Sequence, residues 1–240
     1  MIFGNTFAGH RVYNLRMTTV ADLMPLLADS VASDVSLGDA VALMVRSRNS
    51  AVVVLEHDVV VGILTQRDVL LAMCRHDNQQ RRIREFMTSP VLTVCRDMEI
   101  REAFRFAVRH GIRHLVVTNH AGALLGIISE TDFRRHFGLD YYRQMSTVDG
   151  LMERVFPRLS PDLGLDAAVA AMESARATCV VVTEQGRPIG ILTERDIVRL
   201  FLNGVSDVSL ASVMTQPLCS VSPDTPVAEA ATLMLESCIL

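Results

Sequence analysis

The chain contains no tryptophan among its 240 residues, and aromatic residues make up only 5% of it. Proteins that hold single-stranded nucleic acid stack its bases on aromatic side chains, so the composition argues against that class. The net charge of −4 argues against it too, because binding to a phosphate backbone depends on an excess of Lys and Arg. We therefore expect no nucleic-acid partner.

Long apolar runs and export signals are missing as well. Half of the residues are hydrophobic, yet no stretch approaches the roughly 18 unbroken apolar residues of a membrane span. Residues 1–17 lack the basic start and apolar core of a signal peptide. These absences predict a protein with no membrane span, and we expect a cytoplasmic location.

Catalytic and metal-binding patterns are absent too. The five cysteines form no Cys-x-x-Cys pair, and their odd number and irregular spacing are typical of reduced thiols, which we expect to be mostly buried. His110 and His114 are four residues apart, but Gly111 interrupts the helix between them, so we expect no metal site. No Ser-His-Asp set and no carboxylate pair stands out. We predict no catalytic residue and no required cofactor.

The chain does contain one short motif that occurs three times. The pattern Gly-Ile-x-Thr/Ser-x-x-Asp, called here the closing phrase, begins at Gly62, Gly126 and Gly190, which are 64 residues apart. A fixed period indicates a repeated structural unit. Each phrase follows an apolar run, and each run follows a helix-like segment and, further upstream, a methionine landmark. The four landmarks are Met24, Met87, Met152 and Met214.

The copies alternate in type. Units one and three share Gly-Ile-Leu-Thr-x-Arg-Asp, whereas units two and four share Met-Thr-x-Pro. Duplication of a pair explains this alternation, so units one and two form one module and units three and four a second. The predicted boundaries are a lead-in over residues 1–19 and units over 20–80, 81–145, 146–206 and, incomplete, 207–240.

Each unit reads as strand, helix, strand, strand, helix, which predicts an α/β (α+β) fold. In unit two we expect a strand over residues 91–94 and a helix over 101–109 that buries Ala103, Phe104 and Ala107 and ends at Gly111. A hairpin of residues 115–117 and 124–128 follows. In unit three the hairpin turn is predicted at residues 184–187. A unit of about 60 residues buries little surface alone, which explains why the units occur in pairs.

The closing phrase has two physical interpretations. The phrase hydroxyls lie at a strand-to-helix junction, where free N–H groups and the helix dipole suit a phosphate. The phrase carboxylates can each accept two hydrogen bonds, which matches the vicinal hydroxyls of a ribose. Alternatively, Thr-x-x-Asp is a helix-capping arrangement that stabilises a helix without any ligand. The residues concerned are Thr65, Ser129 and Thr193 with Asp68, Asp132 and Asp196.

Tandem units of this order and length, closing with Gly-x-x-Thr/Ser-x-x-Asp, resemble CBS domains, the regulatory repeats named after cystathionine beta-synthase. The resemblance covers residues 20–240. It implies that each pair forms a pseudo-twofold module with two clefts. It also implies ligands such as AMP, ADP, ATP or S-adenosylmethionine, and modules that associate into disc-like homodimers.

The resemblance favours ribose and phosphate contacts for the phrase residues, and it adds others. Arg113 and His114 occupy a position where CBS proteins often place polar groups that face a phosphate; an ordinary surface role is the alternative for Arg113. By the same analogy, the backbone around Ser89 and Val91 faces the adenine edge. Units one and three have Ser50 and Thr178 at the equivalent position, so we expect unit two to hold the best-equipped cleft.

Unit four stops at Leu240, before its hairpin and closing phrase. We therefore expect a fragment of a longer protein that dimerises at the exposed edge. The leading functional hypothesis is a sensor of adenine nucleotides that controls an effector domain, of the signalling class, beyond Leu240. The alternatives are a structural or dimerisation module with empty clefts, and a segment of a metabolic enzyme such as an IMP dehydrogenase.

Overall fold

The structure is a computed structural model. It describes residues 19–24, 28–75, 78–133, 136 and 147–236. Most of the predicted lead-in, as well as Cys238, lies outside the described residues.

Three units repeat the predicted order of elements. Unit one contains α1 (Val20–Leu23), β1 (Ser30–Ala32), α2 (Leu37–Ser47), β2 (Ala51–Glu56), β3 (Val59–Thr65) and α3 (Gln66–Cys74). Unit two contains β4 (Thr93–Cys95), α4 (Ile100–His110), β5 (His114–Thr118), β6 (Leu124–Ser129) and α5, which is described over residues 130–133. Unit three contains β7 (Arg158–Leu159), α6 (Leu165–Ala175), β8 (Cys179–Glu184), β9 (Arg187–Thr193) and α7 (Glu194–Leu202). The described part of unit four holds α8 (Leu210–Val213) and α9 (Val227–Glu236).

Each of the three complete units forms a three-stranded sheet with the strands in sequence order. The first strand runs parallel to the second, and the second forms an antiparallel hairpin with the third. The predicted hairpins of units two and three are therefore confirmed. Gly111 ends α4 with a φ of 63°, as the sequence predicts, because that left-handed conformation favours glycine.

The strand predicted over residues 91–94 is wrong by two residues, since β4 begins at Thr93. The reason lies just upstream, where Thr88 pairs with Ile63 of unit one through two backbone hydrogen bonds. The chain then crosses from unit one to its own sheet, and Val91 packs into the apolar cluster between the sheets.

Alternation along β2 explains why units one and two pair. Val52 and Val54 face the helices of unit one and join its core. Ala51 and Val53 face the opposite way, where they pack with Val116 of unit two. Successive side chains of a strand point to opposite faces, so a strand that is apolar on both faces requires a second layer. The sheet of unit two supplies that layer.

The methionine landmarks pack directly on the glycines of the closing phrases. Met87 of unit two packs on Gly62 of unit one, and Met24 of unit one packs on Gly126 of unit two. Met214 of unit four packs on Gly190 of unit three in the same way. A Cβ atom at any of these glycines would overlap the methionine sulfur. The phrase therefore needs glycine because a partner side chain lies directly against its backbone.

Backbone bridges show the same pairing in both modules. Unit one bridges to unit two at Thr19–Glu99, Ser36–Arg82 and Ile63–Thr88, and unit three bridges to unit four at Thr147–Pro226, Gly164–Ser209 and Ile191–Thr215. Each bridge of the second set lies at the duplicated position of one in the first set. The predicted duplication of a pair is thus visible in the backbone.

The two modules contact each other within the chain through helices. Helix α3 of unit one packs on α6 and α7 of unit three, and α2 packs on α7. Val198 and Phe201 of unit three join the core of unit one, and Leu70 of unit one joins the core of unit three. A contact between modules, which the resemblance assigns to homodimers, is made here by a single chain.

Cysteine burial differs from the expectation. Cys74, Cys95 and Cys179 are partly buried and Cys219 is exposed, and all four are free thiols. The prediction that the cysteines are mostly buried is therefore wrong for the described residues. Within the same residues, no helix is both long enough and apolar enough to cross a membrane.

Candidate functional site

All three closing phrases form the same helix cap. The Asp132 Oδ2 atom accepts hydrogen bonds from the Ser129 amide at 2.8 Å and from the Ser129 hydroxyl at 2.6 Å. Oδ2 of Asp68 is bound equivalently by Thr65, at 2.7 Å from both groups. In unit three the Thr193 donors lie 2.9 and 2.7 Å from Asp196. The capping interpretation is therefore correct for all three copies.

The caps use only one carboxylate oxygen. No hydrogen bond within the described residues engages Oδ1 of Asp132 or Asp196, whereas Oδ1 of Asp68 lies 3.4 Å from the Thr88 hydroxyl. A carboxylate has room for further hydrogen bonds on its second oxygen. Capping and ligand binding are thus compatible at one residue, because they use different oxygens.

The unit-one cleft combines the first closing phrase with the opening segment of unit two. Thr88 donates its hydroxyl to Asp68, and Ser89 follows it as an exposed residue. Burial raises the pKa of the Asp68 carboxyl, while its hydrogen bonds to Thr65 and Thr88 act in the opposite direction. Ser89 therefore follows a residue that contacts Asp68 of unit one, whereas Val91 packs into the apolar cluster between the two sheets.

The unit-two cleft contains Arg113 and His114 beside the second closing phrase. The Glu130 amide donates to the Arg113 carbonyl at 2.9 Å. His114 Nε2 lies 2.6 Å from the Ser50 hydroxyl, so the first residue of β5 contacts the residue just before β2 of unit one. Burial, followed by the charge of Arg113, lowers the His114 pKa to about 4. His114 is thus a neutral hydrogen-bonding group near pH 7.

A small cavity of about 110 Å³ lies in this cleft. Both phrases of the first module contribute to it. Its lining residues are Ser50, Gln66, Arg113, His114, Ser129, Glu130 and Thr131. Arg113 and His114 are therefore brought together with Ser129, as the resemblance implies.

The arginine predicted to face a phosphate is paired with a carboxylate in this structure. Arg113 Nη2 lies 3.0 Å from Oε2 of Glu194, and Arg67 Nη1 lies 3.4 Å from Oε1 of the same side chain. Glu194 is only 3% exposed. Arg113 is therefore not an ordinary surface residue, because it links unit two to unit three.

Glu194 and Arg67 are functional candidates that the sequence reasoning missed. Both lie in the variable part of a closing phrase, where unit one has Gln66-Arg67 and unit three has Glu194-Arg195. The equivalent residue of unit two, Glu130, is also a carboxylate, so the sequence alone does not distinguish Glu194. Its partners come from other units, so no local pattern could identify them.

A larger groove lies where the modules meet. It has a volume of about 760 Å³ and is lined by residues of units one, two and three, among them Arg67, Arg113, Arg176, Glu173 and Glu194. Three guanidinium groups and two carboxylates thus border one space. Across residues 19–236, masked gaps excepted, no group of His, Cys, Asp and Glu could hold a metal ion.

Comparison with known proteins gives matches over most of the chain. The family model described as the CBS domain matches residues 20–75, 83–138, 148–203 and 205–240. The uncharacterized protein MK0525 of Methanopyrus kandleri is 36% identical over 85 residues, which cover 35% of this chain and 43% of that protein. The uncharacterized protein MJ1225 of Methanocaldococcus jannaschii is 26% identical over 170 residues, which cover 66% of this chain and 60% of that protein. The chain therefore spans less than two thirds of the length of both relatives.

Solved structures show the same architecture. The crystal structure of MJ1225, whose description relates that protein to g-AMPK, has a TM-score of 0.81 at 18% identity and covers 91% of this chain and 90% of its own. This likeness establishes the fold. The CBS domain protein PAE2072 of Pyrobaculum aerophilum, complexed with AMP, covers 51% of this chain and 97% of its own, with 23% identity and a TM-score of 0.48. That second match is too partial to support an inference about ligands.

Proposed function

The chain belongs to the CBS domain family, and from this premise we propose that it is a regulatory module that senses an adenosine-containing ligand. The ligand class is AMP, ADP, ATP or S-adenosylmethionine, as the family implies. Asp68, Asp132 and Asp196 are the proposed ribose acceptors. The hydroxyls of Thr65, Ser129 and Thr193, with the amides at their helix starts, are the proposed phosphate donors.

The observation that carries this proposal is the division of labour within each phrase carboxylate. Oδ2 holds the helix cap in all three copies, which fixes the side chain in position before any ligand arrives. Oδ1 of Asp132 and Asp196 is then a fixed acceptor for the ribose hydroxyls, and Oδ1 of Asp68 is shared with the Thr88 hydroxyl. A preorganised acceptor reduces the entropy cost of binding. A cap alone requires only one oxygen.

Unit two holds the best-equipped cleft in this proposal. It combines Ser129 with the cation Arg113 and the neutral donor or acceptor His114 around one cavity, and Asp132 accepts the Ser129 hydroxyl beside that cavity. In unit one, Ser89 and Val91 are the proposed neighbours of the adenine edge beside Asp68. Unit three has Thr178 in place of the cation, so we expect weaker binding of phosphorylated ligands there.

A comparison of two caps tests the proposal. Asp22 caps α1 with the same Thr-x-x-Asp geometry, since its Oδ2 atom lies 2.9 Å from the Thr19 amide, yet it belongs to no closing phrase. We expect Asp132→Ala to weaken binding of AMP at least about tenfold in isothermal titration, because each 1.4 kcal/mol changes the dissociation constant tenfold. Asp22→Ala should lose a comparable cap and keep its affinity. Equal affinity of the Asp132→Ala variant and the wild type would refute the assignment.

A structural module with empty clefts is the second candidate, and one observation favours it. The unit-two cavity of about 110 Å³ is smaller than the roughly 300 Å³ at which ligand pockets begin. Melting temperatures separate the two candidates, because a ligand at 100 times its dissociation constant stabilises by about 2.7 kcal/mol. AMP, ATP and S-adenosylmethionine should each be tested, and the structural candidate predicts no shift with any of them.

Regulation requires an output, and we propose that it is a cytoplasmic effector domain attached to or associated with the CBS units. Homodimerisation through the modules remains part of this proposal. Sedimentation of the chain with and without AMP would test it, since a ligand-dependent change in assembly is expected. Monomers at high concentration under both conditions would contradict it.

A further inference from the structure

We propose that Glu194 competes with the phosphate of the ligand for Arg113, so that occupation of the unit-two cleft is coupled to the contact between the two modules. This inference rests on the proposed function and adds to it a selectivity residue and a route of transmission. The competing groups belong to different modules: Arg113 to the first and Glu194 to the second.

Arg113 stands between two spaces. It lines the unit-two cavity together with Ser129, and it also lines the groove between the modules together with Glu194. Its carbonyl is held by the Glu130 amide, so its backbone is fixed at the second closing phrase while its side chain reaches into unit three. A rotation of this side chain would take the guanidinium from one space to the other.

The two arginines at Glu194 are held very differently. Arg67 donates to Glu194 and also to the carbonyls of Met172, Glu173 and Ala177, at 3.0 to 3.4 Å. Arg113 donates to Glu194 alone among the described residues. The Arg113 side chain is 42% exposed, compared with 24% for Arg67. Arg67 is thus the fixed partner of Glu194, and Arg113 is the one that can leave.

Release of Arg113 does not leave Glu194 without a cation. A buried carboxylate that loses its only cationic partner strongly destabilises the folded protein. Here Arg67 would remain beside Glu194, still held by the carbonyls of unit three. A phosphate in the unit-two cleft offers Arg113 a bidentate, charge-assisted partner, the geometry that guanidinium groups favour. The exchange therefore replaces one carboxylate partner by a phosphate without creating an unpaired charge.

Two consequences distinguish this arrangement from a simple binding site. Glu194 should lower the affinity for phosphorylated ligands and leave the affinity for adenosine unchanged, because only a phosphate competes for Arg113. Binding of a phosphorylated ligand should also break the ion pair that joins unit two to unit three. The effect of ligand binding would then reach the second module through the ion pair between Arg113 and Glu194.

Titration of the full chain with AMP and with adenosine tests the inference. We expect Glu194→Gln to tighten AMP binding about tenfold, since it removes a charge-assisted pair, and to leave adenosine binding unchanged. Glu173→Gln is the matched control, because Glu173 borders the same groove without a hydrogen bond to Arg113. Arg113→Met should weaken AMP binding and abolish the gain when it is combined with Glu194→Gln.

The outcomes separate this inference from the proposed function. If wild type binds AMP and Glu194→Gln leaves the ratio of AMP to adenosine affinity unchanged, the competition is refuted and the sensing function stands. AMP binding that is seen only in Glu194→Gln supports the competition. If neither protein binds AMP, adenosine or S-adenosylmethionine, the sensing function fails and the inference falls with it. If Glu194→Gln does not fold, Glu194→Asp can be used instead. Its side chain is shorter by one methylene, which moves the carboxylate away from Arg113, so this variant is also expected to tighten AMP binding.

Discussion

The unit-one and unit-two clefts share a closing phrase and differ in what faces it. In unit one the second oxygen of Asp68 meets the Thr88 hydroxyl, and position 50 is a serine. In unit two the equivalent position is Arg113, and His114 follows it. Ser50 and His114 lie against each other, so one contact serves both clefts. The two clefts thus share a repeated cap and differ in the residues that lie opposite it.

The largest effect is expected at the contact between Gly62 of unit one and Met87 of unit two. Gly62→Ala places a methyl group against the Met87 sulfur, and such overpacking costs up to about 3 kcal/mol of the free energy of unfolding. Urea unfolding would measure the loss. Because contacting residues are not additive, Met87→Ala should relieve the clash, so Gly62→Ala adds little in that background. A full additional loss in the double variant would show that methionine packing is not the cause.

Acid should act on unit two through His114. The His114 pKa is lowered by burial from 6.5 to about 4, so between these values the unfolded chain binds a proton that the folded chain does not. Stability therefore falls as the pH falls from 6.5 towards 4, by up to about 2 kcal/mol at pH 5. Urea unfolding at pH 7 and pH 5 would measure the difference.

A matched pair of variants assigns this dependence to the histidine. His114→Gln should remove much of the loss between pH 7 and pH 5, whereas His120→Gln, at an exposed turn position, should retain it. An unchanged pH dependence in His114→Gln would mean that other groups control the acid response of the first module.

Local periodicity and repetition were sufficient to predict the fold, while the charged contacts between units were not predictable. Strands β5 and β8 and the end of α4 at Gly111 follow from local patterns, and the pairing of units follows from the alternation of the repeats along the chain. The start of β4 was misplaced because Thr88 is held by a strand of another unit. Glu194 was missed for a similar reason: its partners Arg67 and Arg113 are distant in sequence. The phrase itself left capping and binding open, since both use the same residues.

The two phrase carboxylates should differ in their contribution to stability. We expect Asp132→Ala to cost about 1 kcal/mol, the usual cost of a lost cap. Asp68→Ala should cost less, because burial raises the Asp68 pKa and part of the capping gain is offset by desolvation of that carboxylate. Chemical unfolding at pH 7 without ligand would compare them. A larger loss for Asp68→Ala would contradict the assigned desolvation.

The smallest effect is expected from Thr88→Val, which removes the contact peculiar to unit one. The hydroxyl lies 3.4 Å from Asp68 Oδ1 on an exposed residue, so we expect a change below about 0.5 kcal/mol in the free energy of unfolding. The sharper readout is the pKa of Asp68, followed by NMR through its carboxyl carbon. A hydrogen bond to the charged form lowers a carboxyl pKa, so its removal should raise the pKa of Asp68 further above its ordinary value. A fall in that pKa would show that Thr88 does not donate to Asp68, and unit one would then present the same unoccupied carboxylate oxygen as unit two.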